Sequence, residues 1–181
     1  MMHDRILTYS NGMSMLRVLL VIPIIHFLLS DEPTARMYAL LYMFIAAATD
    51  YFDGFFARRF QQVSDLGKIL DPLADKTALV AIILILAFRE IIPQWFASLI
   101  IARDILIVAG SIFVRRRSGH ILQSTITGKI TVTVIAVTVV LATAEAPEIL
   151  TTISLWLSVI FTVYSLLVYA RRAMHTLKFN F

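Results

Sequence analysis

Long apolar runs, interrupted at short intervals by clusters of charge, dominate the chain. Six of them, at about residues 16–29, 37–56, 69–88, 95–114, 126–141 and 149–169, approach or exceed the roughly 20 residues that a helix needs to cross a bilayer. The first and fifth runs are short, so helix tilt or local thinning of the bilayer is expected to accommodate them. Ser30-Asp31-Glu32-Pro33 reads as a turn, and no small-residue cleavage site follows the first run, which is therefore expected to persist as a helix rather than act as a signal peptide.

Composition turns these runs into a class. Hydrophobic residues make up 59% of the 181 positions and charged ones only 15%, more apolar surface than a water-soluble domain can hide. The expectation is an all-α integral membrane protein with one membrane domain over 1–181: an interfacial segment at 1–15, six transmembrane helices over 16–169 and a cytoplasmic tail at 170–181. Residues 4–13, with Ile6, Leu7 and Tyr9 among polar neighbours, suit a short amphipathic segment along the interface. No internal repeat, low-complexity tract or second domain is apparent.

Charge adds the orientation. Arg5, Arg17, Arg58, Arg59, Lys68, Lys76, Arg115, Arg116, Arg117, Lys129, Arg171, Arg172 and Lys178 all flank runs on one side, which the positive-inside rule makes cytoplasmic, together with both termini. These residues mark the ends of apolar runs, so a net charge of +4 points to topology and not to nucleic acid. The absence of cysteine excludes disulfides, thiolate zinc sites and cysteine nucleophiles. His3, His26, His120 and His175 are too scattered to act as a ligand set, so any metal would be held by oxygen.

Oxygen donors are concentrated in one place. Asp50 and Asp53 lie three residues apart near the end of the second run, Asp71 and Asp75 four apart near the start of the third, spacings that put each pair on one helix face. A connection of about ten residues is expected to bring the faces together. Four carboxylates at one membrane depth repel one another and are costly to ionise there, so cations should neutralise them; an all-oxygen set favours magnesium or manganese, and four charges match two such ions. The bland alternative is local helix chemistry, with Asp71-Pro72 as an N-cap and first-turn proline and Asp53-Gly54 as a helix end. It accounts for neither Asp50 nor Asp75. Gly54 and Gly67 suit either helix packing or close approach of a nucleotide. Arg59 is assigned to topology, a role also open to Arg58.

The run D-x2-D-G-x2-A-R-x8-G-x3-D-x3-D, from Asp50 to Asp75, resembles without a gap the motif of the CDP-alcohol phosphotransferase family, whose six-helix topology with cytoplasmic ends is also similar. The resemblance implies that fold and a homodimer in the cell inner (cytoplasmic) membrane. It implies that Asp50, Asp53, Asp71 and Asp75 bind two Mg2+ or Mn2+ ions, with Asp75 also the general base. It further implies that Gly54, Ala57, Arg58 and Gly67 line the site of the CDP-lipid. Ser64 stands where members often present a hydroxyl to the nucleotide; a helix N-cap is its other reading.

Which alcohol is used depends on flanking residues. Gly67 to Lys76, as G-K-I-L-D-P-L-A-D-K, resembles the branch whose acceptor is glycerol 3-phosphate, with the cardiolipin-forming branch close behind. Asn11 to Arg17 is similar to that branch's N-x-L-T-x-x-R, which implies Asn11 and Ser14 at the CDP-lipid and Arg17 at the acceptor. Gly128-Lys129-Ile130 resembles the start of its G-K-I-K-T, from which Thr131 and Val132 depart.

Arg103, deep in the fourth run, requires an anion or a water-filled cavity. Neighbouring residues diverge by about 100° around a helix, so Asp104 is not expected to be its partner. Either the aspartate cluster neutralises it, or Arg103 joins Lys129, with a minor share for Arg115 to Arg117, in holding an anionic acceptor. The expected reaction moves a phosphatidyl group from CDP-diacylglycerol to sn-glycerol 3-phosphate and releases CMP. Phosphatidylglycerol, serine or a phosphorylated inositol are alternative acceptors. A divalent-cation transporter is the rival class, disfavoured because the four aspartates cluster near one face and the last two runs contain no carboxylate.

Overall fold

The computed structural model describes the backbone of residues 9–60, 67–118 and 125–178 and the side chains of 15, 16, 18–49, 76–117 and 125–178. Six helices and no strand occur among the described residues: α1 Tyr9–Leu29, α2 Ala35–Phe60, α3 Gly67–Phe88, α4 Gln94–Ser118, α5 Ile126–Thr143 and α6 Glu148–Lys178. Each contains one of the six apolar runs. α1 starts at Tyr9 and so absorbs part of the segment expected at the interface; residues 1–8 lie outside the described residues.

Among the described residues three helices, Gln94–Arg117, Ile126–Thr143 and Glu148–Lys178, are long and apolar enough to cross a membrane. In α1–α3 the apolar stretches among the described residues are Val18–Leu29, Ala35–Thr49 and Lys76–Phe88. Large apolar side chains such as Phe44, Phe88, Ile105, Ile160 and Leu167 stand exposed, a surface that lipid covers and water does not. The chain is an all-α membrane protein.

Two compact units divide it, Met1–Ile91 and Ile92–Phe181. In the first, α1 packs against both α2 and α3. Ala35, Ala39 and Met43 present a buried stripe at helical spacing on α2, Ile24 and Leu28 do so on α1, and Ile82, Ile83, Leu86 and Ala87 on α3. The two alanines are small enough to let helices approach closely, and Phe27 lies against Tyr38 and Tyr42 at centroid distances of 5.2 and 5.7 Å. An ion pair from Arg89 to Asp31 ties the end of α3 to the α1–α2 turn.

In the second unit α6 packs against α4 and α5. Phe96, Ile100, Ile135, Val139 and Leu155 are buried there, but so are Thr131, Thr138, Thr143, Ser154, Ser158, Thr162 and Ser165. Large apolar side chains outside and hydroxyls sharing the interior with apolar groups set this unit apart from a soluble protein. Lipid gives apolar groups no reason to hide, so small side chains and interhelical hydrogen bonds carry the packing. Thr131 Oγ1 donates across to the Phe161 carbonyl at 3.1 Å, and the Thr138 and Ser158 hydroxyls meet at 2.9 Å. Gly110 serves close approach in the same way: a Cβ there would stand 3.3 Å from the Tyr169 ring. Trp95 of α4 and Trp156 of α6, half-exposed, sit 5.9 Å apart.

The connections after α3 and α5 are closed in one manner. At the end of α3 the Ile91 N–H reaches the Leu86 carbonyl at 2.9 Å and the Glu90 N–H the Ala87 carbonyl at 3.1 Å; after α5, Ala146 to Leu141 at 3.0 Å and Glu145 to Ala142 at 3.3 Å repeat the pattern. Both are Schellman closures, with Glu90 and Glu145 at positive φ (56° and 51°) where glycine is usual. Pro93 and Pro147 follow, and their carbonyls start the first turns of α4 and α6.

Candidate active site

α2 continues without interruption from Ala35 to Phe60, and α3 is already helical at Gly67. Asp53-Gly54 therefore lies inside a helix and not at its end, and Asp71 is four residues past the helix start and cannot be its N-cap. The local explanations for these residues fail, while the three- and four-residue spacings fall within regular helix. The link between α2 and α3 spans only 61–66, shorter than the expected ten residues, and its extended length limits the gap between the helix ends to about 25 Å.

The side chains of Asp50, Asp53, Gly54, Ala57, Arg58, Gly67, Asp71 and Asp75, and of Asn11, Ser14 and Arg17 on α1, lie outside the described residues, as does Ser64 altogether. Among the described residues no group of three or more histidine and acidic side chains is placed to hold a metal.

The second unit contains a separate polar centre, built around Arg103. Its side chain is only 5% exposed. Nη1 donates to Asp104 Oδ1 at 2.6 Å and Nη2 to Ser165 Oγ of α6 at 3.3 Å, while Nε is buried without a partner among the described residues. The pairing corrects the expectation that Asp104 would be unsuitable. Adjacent Cβ atoms do diverge, but the guanidinium is carried on a long flexible arm and turns back to the carboxylate.

The start of α5 closes the centre. Thr125, extended at φ −91° and ψ 152°, caps the helix by accepting from the Gly128 N–H at 3.0 Å. A Cβ on Gly128 would meet Thr125 Oγ1 at 3.1 Å, a tight approach, and Arg103 Nη2 at 3.5 Å, an ordinary contact, so glycine here spares the Thr125 cap a displacement. Lys129 is exposed in the same turn, and Arg115, Arg116 and Arg117 are exposed at the end of α4, with Arg117 over the Phe113 ring at 5.9 Å. Gly128 and Lys129 thus lie in the helix turn beside Arg103. Asp104, Ser165 and Thr125 were not expected at this centre. Only Ser165 left a sequence trace, as the last member of the stripe Ser154, Ser158, Thr162, Ser165.

The fold and these positions define a class: over residues 7–164 the chain matches the CDP-alcohol phosphatidyltransferase family model, and it belongs to that family. Its relatives carry two names. A CDP-diacylglycerol–glycerol-3-phosphate 3-phosphatidyltransferase of Bacillus subtilis is 34% identical over 139 residues, covering 74% of this chain and 72% of that protein. A cardiolipin synthase (CMP-forming) of Streptomyces coelicolor is 35% identical over 120 residues, 65% of this chain and 55% of that protein. The human cardiolipin synthase (CMP-forming) is 37% identical over 112 residues, 61% of this chain and 36% of that protein. The chain thus spans little more than half of the Streptomyces relative and about a third of the human one.

Proposed function

We propose that the chain transfers a phosphatidyl group from CDP-diacylglycerol to sn-glycerol 3-phosphate, forming phosphatidylglycerophosphate and CMP at the cytoplasmic face of the cell membrane. The observation that carries the reading is the ungapped run from Asp50 to Asp75, set in helices that continue through its acidic positions. The glycerol-3-phosphate relative covering 74% of the chain and the buried guanidinium of Arg103, suited to a charged acceptor, support the choice of alcohol.

Asp50, Asp53, Asp71 and Asp75 would hold two magnesium or manganese ions, which supply positive charge to the pyrophosphate when bound. Gly54, Ala57, Arg58 and Gly67, with Asn11, Ser14 and Ser64, receive the CDP-lipid. Asp75 takes the proton of the acceptor hydroxyl as that oxygen attacks the phosphorus bearing diacylglycerol, and CMP departs in line. Arg103 and Lys129, with Arg17, orient the acceptor phosphate. A homodimer is part of the same proposal.

The cardiolipin synthase names make phosphatidylglycerol the second acceptor to consider. Purified protein given labelled CDP-diacylglycerol with each alcohol separately decides between them. Labelled phosphatidylglycerophosphate formed with glycerol 3-phosphate is the expected result; product with phosphatidylglycerol alone transfers the assignment to cardiolipin formation.

A further inference from the structure

The contact between Arg103 and Asp104 is unusual for two buried charges. Helix neighbours that pair comfortably are three or four residues apart, because their side chains lie along one face. Asp104 is one residue away and meets Nη1 at 2.6 Å only by bending toward it. Its side chain keeps 16% exposure against 5% for Arg103, so a change of aspartate rotamer releases the contact without moving backbone. Ser165 would still hold Nη2, and Nε, buried, has no acceptor among the described residues.

An anion released to this centre would find further positive charge nearby. Nη2 lies beside Gly128, in the first turn of an 18-residue helix. Thr125 takes the N–H groups of Gly128 and Lys129, leaving those of Ile126 and Thr127 at the positive end of the helix, where anions are favoured. The exposed Lys129 adds a full charge to the same turn.

We infer that Asp104 is an internal counter-ion that occupies Arg103 in the unliganded protein and is displaced by the phosphate of the acceptor, making Asp104 a specificity-determining residue. The inference rests on the proposed reading of Arg103 as an acceptor contact. A carboxylate already satisfies the guanidinium, so an uncharged alcohol gains nothing by entering. A phosphate monoester carries more charge and three acceptor oxygens, enough to engage Arg103, Lys129 and the helix end together.

The test is Asp104→Asn, which removes the charge and keeps an oxygen acceptor for Nη1. The KM for glycerol 3-phosphate is expected to fall at least threefold, with inhibition by inorganic phosphate strengthened in proportion and the KM for CDP-diacylglycerol unmoved. If the asparagine variant does not fold, Asp104→Ser is measured in the same way. An unchanged or raised acceptor KM overturns the inference. If the wild-type protein makes no product with glycerol 3-phosphate, the acceptor assignment itself fails. Thermal unfolding in detergent then tests the counter-ion separately, with inorganic phosphate compared against chloride at equal ionic strength. Asp104→Asn must gain a larger upward shift from phosphate than wild type does, and an equal or smaller shift overturns the inference.

Discussion

Gly128 shows how much one missing methyl group can decide. Alanine there removes the conformational penalty of glycine in a helix, worth about 1 kcal/mol, but pushes on the Thr125 cap, worth a similar ~1 kcal/mol. Stability should therefore change by less than about 1 kcal/mol, whereas the acceptor KM should rise because the Thr125 hydroxyl, 3.1 Å from the added methyl, must shift beside the proposed acceptor site. Steady-state kinetics beside a thermal melt separates the two effects. The four aspartates should behave differently. Asp50→Ala, Asp53→Ala, Asp71→Ala and Asp75→Ala are each expected to lower turnover at least about a hundredfold, with multiple replacements costing little more than one, as for groups acting as a unit. Chelation of divalent ions should abolish product formation, and magnesium or manganese should restore it. These acids stand out in the sequence because an ionised group in an apolar run is costly unless something neutralises it, and that cost is what motivates their proposed role. Asp104 was misread because helical angles describe where a side chain starts and not where a long one ends.

The helices were legible from hydropathy alone, and their ends less so. Apolar length located each span but missed the polar turns at the start of α1 and at the ends of α2 and α6, which hydropathy gives no reason to include. The closures of α3 and α5 left no glycine to find, since Glu90 and Glu145 occupy the left-handed positions. Glu90→Gly should therefore raise stability by about 0.5–1 kcal/mol, read as a higher denaturant midpoint in mixed micelles. The hydroxyl seam of α5 and α6 also escapes a reading that equates burial with hydrophobicity. A double-mutant cycle on Thr138→Val and Ser158→Ala should return a coupling near ~0.6 kcal/mol, typical of interhelical hydrogen bonds in membranes. A value indistinguishable from zero would mean that packing alone holds these helices together.

Across the whole molecule, the absence of cysteine gives a clean background for testing orientation. Single cysteines replacing Lys178 and Ala144 should react with an impermeant maleimide from opposite faces of a sealed membrane, Lys178 from the cytoplasmic one. α6 adds a further consequence through its length. From Glu148, its first residue, to Arg171 the helix rises about 35 Å, slightly more than the ~30 Å of an average hydrocarbon layer. Charges at both limits resist being drawn into the acyl chains, so a mismatched bilayer has to be met by leaning the helix. Ser165, seated on that helix, would shift with it and carry the guanidinium it holds. Vesicles of graded acyl length should thus reveal an optimum thickness for acceptor use, with thinner and thicker membranes both detuning the enzyme.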